Sequence, residues 1–257
     1  MSNSSSANLA PDFLVVIPAR LGSTRLPRKP LANIAGKPMV VQVAIQAKKS
    51  QAQSVVVATD FPEILAVCKE HHIDCLLTSP DHPTGTDRLA EVASLLKLPD
   101  NALIVNVQGD EPLIPPELIN QVAKTLADHA DCAISTVAVP IDDAAEINNP
   151  NAVKVVLNRH GEALYFSRAP IPFVRDAKNT DQIEHLRHLG IYAYRADFLQ
   201  AYARLLPAPP EQAEALEQLR ALWNGYKIAV YTAPETPPAG VDTPEDLERI
   251  RGLLGGS

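Results

Sequence analysis

Short, wholly apolar runs alternate with longer stretches whose apolar residues recur every three or four positions. Phe13-Leu14-Val15-Val16-Ile17 has the pattern of a strand buried on both faces of a parallel sheet. Ser54-Val55-Val56-Val57-Ala58-Thr59-Asp60, Cys75-Leu76-Leu77-Thr78 and Ala102-Leu103-Ile104-Val105-Asn106-Val107 read as further strands. Between them the spacing predicts helices. One opens at Lys37-Pro38 and gathers Met39, Val40, Val43, Ala44 and Ala47 on one face. A second starts near Pro62, and a third spans Thr84 to Lys97 with Leu89, Val92, Ala93 and Leu96 together. Repeated strand–helix–strand units imply an α/β fold, a parallel sheet with right-handed crossovers.

After about residue 130 the rhythm changes. Ala133 to Val139 predicts a strand, and Val153 to Leu157 predicts a partner for Ala163 to Phe166 across a turn at Asn158 to Gly161. Residues 212–222 predict a helix and Ile228 to Tyr231 a strand. Thr243-Pro244-Glu245-Asp246 predicts the start of a last helix, with Thr at the cap and Pro in the first turn. The Ser/Asn-rich residues 1–12 read as a disordered lead-in, and 13–254 as a single domain.

The chain has 257 residues, 46% hydrophobic and 21% charged, the balance of an ordinary soluble globule. A net charge of −7 argues against nucleic acid as a partner. No apolar run approaches the roughly 20 residues that cross a bilayer, which argues against membrane insertion. Cys68, Cys75 and Cys132 are odd in number and irregularly spaced, which fits neither a disulfide framework nor a zinc motif and points to a cytoplasmic setting.

Against that acidic background, Pro18 to Pro30 is a local exception, with Arg20, Arg25, Arg28 and Lys29 close together. Its prolines and Gly22 imply a shaped loop at the carboxyl end of the first strand, where open α/β sheets bind ligands. The charge asks for a polyanion such as a nucleoside triphosphate. Neither Gly-x-x-x-x-Gly-Lys-Ser/Thr nor Gly-x-Gly-x-x-Gly occurs, so side-chain cations carry much of that task. Asp110 follows the strand ending at Val107, and Asp242 precedes the last helix. A helix cap explains either acid as readily as a metal site does. If both follow adjacent strands, they share a rim with the cationic loop and suit Mg²⁺.

Several motifs, in order, resemble the 3-deoxy-manno-octulosonate (Kdo) cytidylyltransferase family, the CMP-Kdo synthetases. They are Ile17-Pro18-Ala19-Arg20, Ser23-Thr24-Arg25-Leu26-Pro27, Val105-Asn106-Val107-Gln108-Gly109-Asp110-Glu111-Pro112 and Asn149-Pro150-Asn151-Ala152-Val153-Lys154-Val155-Val156. Leu164-Tyr165-Phe166-Ser167-Arg168-Ala169, His188-Leu189-Gly190-Ile191-Tyr192, Leu216-Glu217-Gln218-Leu219-Arg220 and Gly240-Val241-Asp242-Thr243-Pro244 continue the match, which spans residues 13 to about 254.

The resemblance implies a Rossmann-like, mostly parallel sheet flanked by helices, of the nucleotide-diphospho-sugar transferase type, with an inserted dimerisation region. It divides the domain into a nucleotide-binding part (about 13–130 plus 226–254) and a sugar-binding and dimerisation part (about 131–225). It implies transfer of CMP from CTP to Kdo with release of pyrophosphate, for lipopolysaccharide synthesis in a Gram-negative cytoplasm, by a homodimer using Mg²⁺. Arg20, Lys29, Asp110 and Asp242 are the implied catalytic residues, the two aspartates holding the metal. Arg20, Ser23, Lys29, Gln108, Asp110, Thr78, Ser79, Thr84 and Gly85 are implied on the nucleotide side. Arg168, His188, Tyr192, Glu217 and Gln218 are implied on the sugar. Arg28 departs from a frequent glycine, and Ser79-Pro80 and Asp87 depart from a frequent Arg-Ala and Glu. Sialic acid or an amino analogue of Kdo remains an alternative substrate, and a non-catalytic nucleotide sensor an alternative class.

Overall fold

The structure, a computed structural model, describes residues 11–22, 25–82, 84–176 and 184–255. Strand β1 (Phe13–Ala19) leads through a small hairpin, β2 (Asn33–Ile34) and β3 (Lys37–Pro38), into α1 (Met39–Ala47). There follow β4 (Ser54–Thr59), α2 (Pro62–Glu70), β5 (Asp74–Leu77), α3 (Gly85–Leu95), β6 (Leu103–Asn106) and α4 (Pro116–Asp128). The second half runs β7 (Ile134–Pro140), α5 (Ala144–Ile147), β8 (Lys154–Leu157), β9 (Ala163–Ser167), β10 (Leu186–Arg195) and α6 (Ala196–Tyr202). It closes with α7 (Pro209–Glu214), α8 (Gln218–Trp223), β11 (Ile228–Thr232) and α9 (Pro244–Gly255).

One sheet runs in the order β11-β7-β10-β6-β1-β4-β5. Neighbours are parallel except at β10, which is antiparallel to both β6 and β7. Alternate residues of β1 feed opposite faces, as the two-residue period of a strand requires. Phe13, Val15 and Ile17 join α1, α2, α4 and α9 in one core, and Leu14 and Val16 join α3 and α6 in the other. The apolar runs of β1 and β6 are therefore strands covered by helices on both sides, whereas β5, at the sheet's edge, leaves Leu77 exposed.

The expected hairpin forms between β8 and β9. Asn158 Oδ1 accepts from the amides of His160 and Glu162 at 2.8 and 3.1 Å, and Gly161 takes the left-handed φ of 74° that closes the turn. The helix expected over 212–222 is instead two short ones, α7 and α8, because Ala215 adopts φ 51° and ends the first. That break sets Glu217 and Gln218 at the start of α8.

Lys154 is fully buried, and its ammonium donates to the carbonyls of Asn149, Ala152 and Arg168 at 2.9, 2.6 and 2.7 Å. Its three donors are thereby all used. They tie the 149–152 turn to the end of β9. Replacing Lys154 with Met leaves these carbonyls without that donor. The expected cost is about 2–4 kcal/mol, read in a thermal melt as a drop on the order of 10 °C.

Candidate active site

Chain segments from three parts of the sequence meet at the carboxyl end of β1 and β6. The loop after β1 carries Arg28 at φ 57°, a left-handed conformation that glycine adopts without strain, and an ion pair with Glu63 on α2 accompanies it. A single 3₁₀ turn, Lys29–Leu31, then directs Lys29 inward. Its ammonium lies 2.6 Å from Asp110 Oδ2 and 3.0 Å from Asp242 Oδ1. Arg25 adds a longer contact to Asp242 at 3.4 Å. Burial by itself would lower the pKa of Lys29, but the hydrogen bonds and charges of Asp110 and then Asp242 outweigh it and raise it.

Asp242 reaches this position by a route the sequence pattern does not indicate. It does not follow a strand adjacent to β6. β11 ends at Thr232 at the sheet's edge, with β7 and β10 between it and β6. The chain returns through residues 233–243, and the amide of Val241 donates to the carbonyl of Asp110 at 2.8 Å. Two glycines permit that approach: a Cβ on Gly109 would stand 2.8 Å from the Pro18 carbonyl oxygen, and one on Gly240 would stand 3.0 Å from that of Asp110. Neither acid is occupied as a helix cap. α4 begins only at Pro116, and α9 is capped by Thr243, whose hydroxyl accepts from the amide of Asp246 at 3.2 Å while Asp246 accepts from the amide of Thr243 at 3.1 Å.

Two cavities adjoin here, sharing Pro18, Gly85 and Gln108 as their common wall. One, of about 310 Å³, is lined by Arg20, Lys29, Gly109 and Asp110. The other, of about 330 Å³, is lined by Asn106, Tyr192, Tyr194, Tyr202, Glu217 and Gln218 among others. The first carries Arg20 and Lys29 beside three glycines, Gly22, Gly85 and Gly109; the second is aromatic and rich in hydrogen-bonding groups. Asn106 Oδ1 and Gln218 Nε2 are buried there and find no hydrogen-bond partner among the described residues. Orphaned polar atoms of this kind fit a ligand bearing hydroxyls. Glu217 stands at the mouth with Thr86 Oγ1 3.4 Å away, and burial of its carboxyl among these groups pushes its pKa up.

His188 and Arg168, the other residues that the resemblance implies for the sugar, line neither cavity. His188 packs edge-on against Phe166 and tilts against Tyr192, with Nε2 2.9 Å from Thr136 Oγ1. Burial pushes its pKa down to about 3, so the ring stays neutral at ordinary pH. Arg168 donates from Nε, Nη1 and Nη2 to the carbonyls of Glu214, Pro150 and Ala215 at 2.6, 3.0 and 3.4 Å. These bonds support the 214–215 corner that turns Glu217 and Gln218 into the cavity. Of the five N–H groups of a guanidinium, two remain beyond these three bonds.

Of the residues that the resemblance implies for the nucleotide, Arg20 donates to the His82 carbonyl at 3.2 Å, and Gln108 to the Gly190 carbonyl at 3.4 Å. Thr78 is buried, and Thr84 caps α3 through a reciprocal pair with Asp87, the residue that departs from a frequent Glu. Ser23 lies outside the described residues. Asn106, Thr86, Tyr194 and Tyr202 escape a reading of the sequence as site residues. Asn106 alone carried a signal, a lone amide inside a buried apolar strand. Tyr194 and Tyr202 look like core aromatics until the cavity beside them is seen.

A sheet of this order with a cationic loop, paired carboxylates and a polar cavity at its carboxyl rim is that of a nucleotidyltransferase. Residues 14–228 match the family model described as Cytidylyltransferase. A 3-deoxy-manno-octulosonate cytidylyltransferase of Polynucleobacter necessarius subsp. necessarius (strain STIR1) is 81% identical over 248 residues, 96% of this chain and 98% of that protein. One of the same description from Polynucleobacter asymbioticus (strain DSM 18221 / CIP 109841 / QLW-P1DMWA-1) is 79% identical over 98% of this chain and 99% of its own. The solved structure of CMP:2-keto-3-deoxy-manno-octonic acid synthetase complexed with CTP superposes with a TM-score of 0.89 at 41% identity, covering 96% of this chain and 99% of that one. A cytidylyltransferase from Leptospira borgpetersenii serovar Hardjo-bovis (strain JB197) shares the fold at a TM-score of 0.61 and 17% identity, over 96% of this chain and 88% of its own. The chain belongs to the cytidylyltransferase family, among the 3-deoxy-manno-octulosonate cytidylyltransferases.

Glu111, next to Asp110, has its pKa pushed up to about 7 from the ordinary 4.5, by burial first and by the Asp110 charge second. The folded chain therefore keeps a proton that the unfolded chain has released, so stability falls as pH rises between those two values. In the presence of a chelator, the melting temperature of Glu111→Gln should gain on the wild type from pH 5 to pH 8. A constant difference across that range would contradict the assignment.

Proposed function

We infer that this chain transfers CMP from CTP to the anomeric hydroxyl of Kdo and releases pyrophosphate. Identity near 80% over almost the whole length to 3-deoxy-manno-octulosonate cytidylyltransferases carries this reading. The two adjoining cavities support it: a cationic, glycine-rich one for the triphosphate and one with unpartnered polar groups for the sugar acid. The oxygen of the anomeric hydroxyl attacks the α-phosphorus, the new P–O bond forms as the bond to pyrophosphate breaks, and the hydroxyl proton passes to solvent.

Arg20 and Lys29 grip the triphosphate, with Ser23 assigned to the same loop. Lys29 is best placed to neutralise the departing pyrophosphate. Gln108, Thr84 and Gly85 border the nucleotide, and Thr78 and Ser79 belong to the segment that shapes its base side. Tyr192, Glu217 and Gln218 receive the sugar hydroxyls, with His188 bracing Tyr192. Arg168 holds the 214–215 corner and offers its remaining donors to the sugar carboxylate. Asp110 and Asp242, which converge on one cation position, fit a hard divalent ion, and we assign Mg²⁺ to them. When bound, such an ion screens the phosphate charge and lowers the pKa of the attacking hydroxyl.

We also propose a two-fold homodimer, in line with the exposed Leu164, Tyr165 and Phe173 on and beyond β9. Residues 131–225 are proposed as the sugar-binding and dimerisation part, and the product as a precursor of Gram-negative lipopolysaccharide. Among the described residues no helix is long and apolar enough to cross a membrane. Together with three free cysteines, this accompanies a cytoplasmic assignment.

Pyrophosphate release from CTP should require Kdo and stop in excess chelator; equal turnover with ATP, or with sialic acid in place of Kdo, would overturn the substrate assignment. Asp110→Asn and Asp242→Asn should each cut turnover by roughly 10²–10⁴-fold, with the double variant little worse than either single one. A multiplicative double loss would show that the two carboxylates do not act as a unit.

A further inference from the structure

Arg88 lies on α3, outside both cavities, and is fully buried. Nη1 donates to the hydroxyl of Thr78, and Nη2 lies 2.9 Å from Asp60 Oδ1 as an ion pair; Nη2, Nε and that Oδ1 make no hydrogen bond among the described residues. Asp60 and Thr78 each immediately follow a strand, β4 and β5, and the amide of Thr78 donates to the Thr59 carbonyl at 2.8 Å. One guanidinium thus bolts two neighbouring strand ends to a helix. Burying an arginine is costly, and here its charge also opposes that of Arg20 nearby, each effect pulling its pKa down against the attraction of Asp60. Stability alone is a poor account of a buried guanidinium with two of its nitrogens left unbonded.

The same helix grips the segment beyond Thr78 at two more points. Glu91 accepts from the amide of Ser79 at 2.9 Å and pairs with the ring of His82, while Asp87 and Thr84 close the helix cap. The carbonyl of His82 is the acceptor that holds Arg20, which lines the cationic cavity. Because that acceptor is neutral, Arg20 is aimed without being neutralised.

We propose that Arg88, with Asp60 and Glu91, is a positioning residue for the nucleotide, fixing residues 78–82 and through them the guanidinium of Arg20. The proposal rests on the reading of the cationic cavity as the CTP site. Its test is steady-state kinetics of Arg88→Lys, Asp60→Asn and Glu91→Gln, with melting temperatures measured alongside. Glu91 is partly exposed, so its variant keeps the test available if the Arg88 variants do not fold.

The expected result is a KM for CTP raised roughly tenfold or more in Arg88→Lys and about threefold in Glu91→Gln, with the KM for Kdo within about twofold of wild type. Glu91→Asp should recover part of the loss. A lower melting temperature with both KM values unchanged, or an equal rise in both, would overturn the proposal and leave the network a purely structural one. Wild-type enzyme that releases no pyrophosphate from CTP and Kdo would instead overturn the assigned reaction.

Discussion

The site depends on a close approach of main chains. The loop after β6 must pass against the end of β1, and the segment before α9 must then lie against the loop after β6. At Gly109 and Gly240 a side chain would stand 2.8 and 3.0 Å from a neighbouring carbonyl oxygen, closer than ordinary packing allows. Once they are in place, the Val241–Asp110 hydrogen bond fixes the separation of the two carboxylates. Lys29, both aspartates and both cavities are arranged around that junction.

Much of this was legible in the sequence because the signals are local. Val15 to Ile17 and Leu103 to Val105 are apolar on both faces, so their burial between helix layers follows from the two-residue period alone. The β8–β9 hairpin follows from Asn158 and Gly161, whose turn chemistry is self-contained. What escaped was non-local. β10 carries His188 and Gly190 among its apolar residues, and its alternation is broken where the register shifts between Leu189 and Tyr192. The helix over 212–222 divides because Ala215 takes a conformation that tertiary contacts hold against its own preference.

The same division holds in the site. The cationic loop and Asp110 advertise themselves by following buried strands. Asp242 arrives by a loop crossing from the far edge of the sheet, a path set by one backbone hydrogen bond and invisible to periodicity. Asn106 looks like an interruption in a strand until the orphaned oxygen and the cavity are seen together. Arg88 and Asp60 lie far apart in sequence and become a pair only when β4, β5 and α3 are assembled.

The ion pairs of the first loop also change how its charge should be counted. Arg20, Arg25, Arg28 and Lys29 bring four positive charges, but Glu63, Asp110 and Asp242 meet three of these side chains with three negative ones. Once folded, the stretch keeps one of its four charges without an acidic partner among the described residues, that of Arg20 in the cationic cavity. Under the proposed assignment of a divalent cation to Asp110 and Asp242, that cation would take over the aspartates and free Lys29 for the phosphates. Under that assignment, occupancy by the nucleotide and by its counter-ion would be thermodynamically linked, each raising the affinity for the other by the same factor.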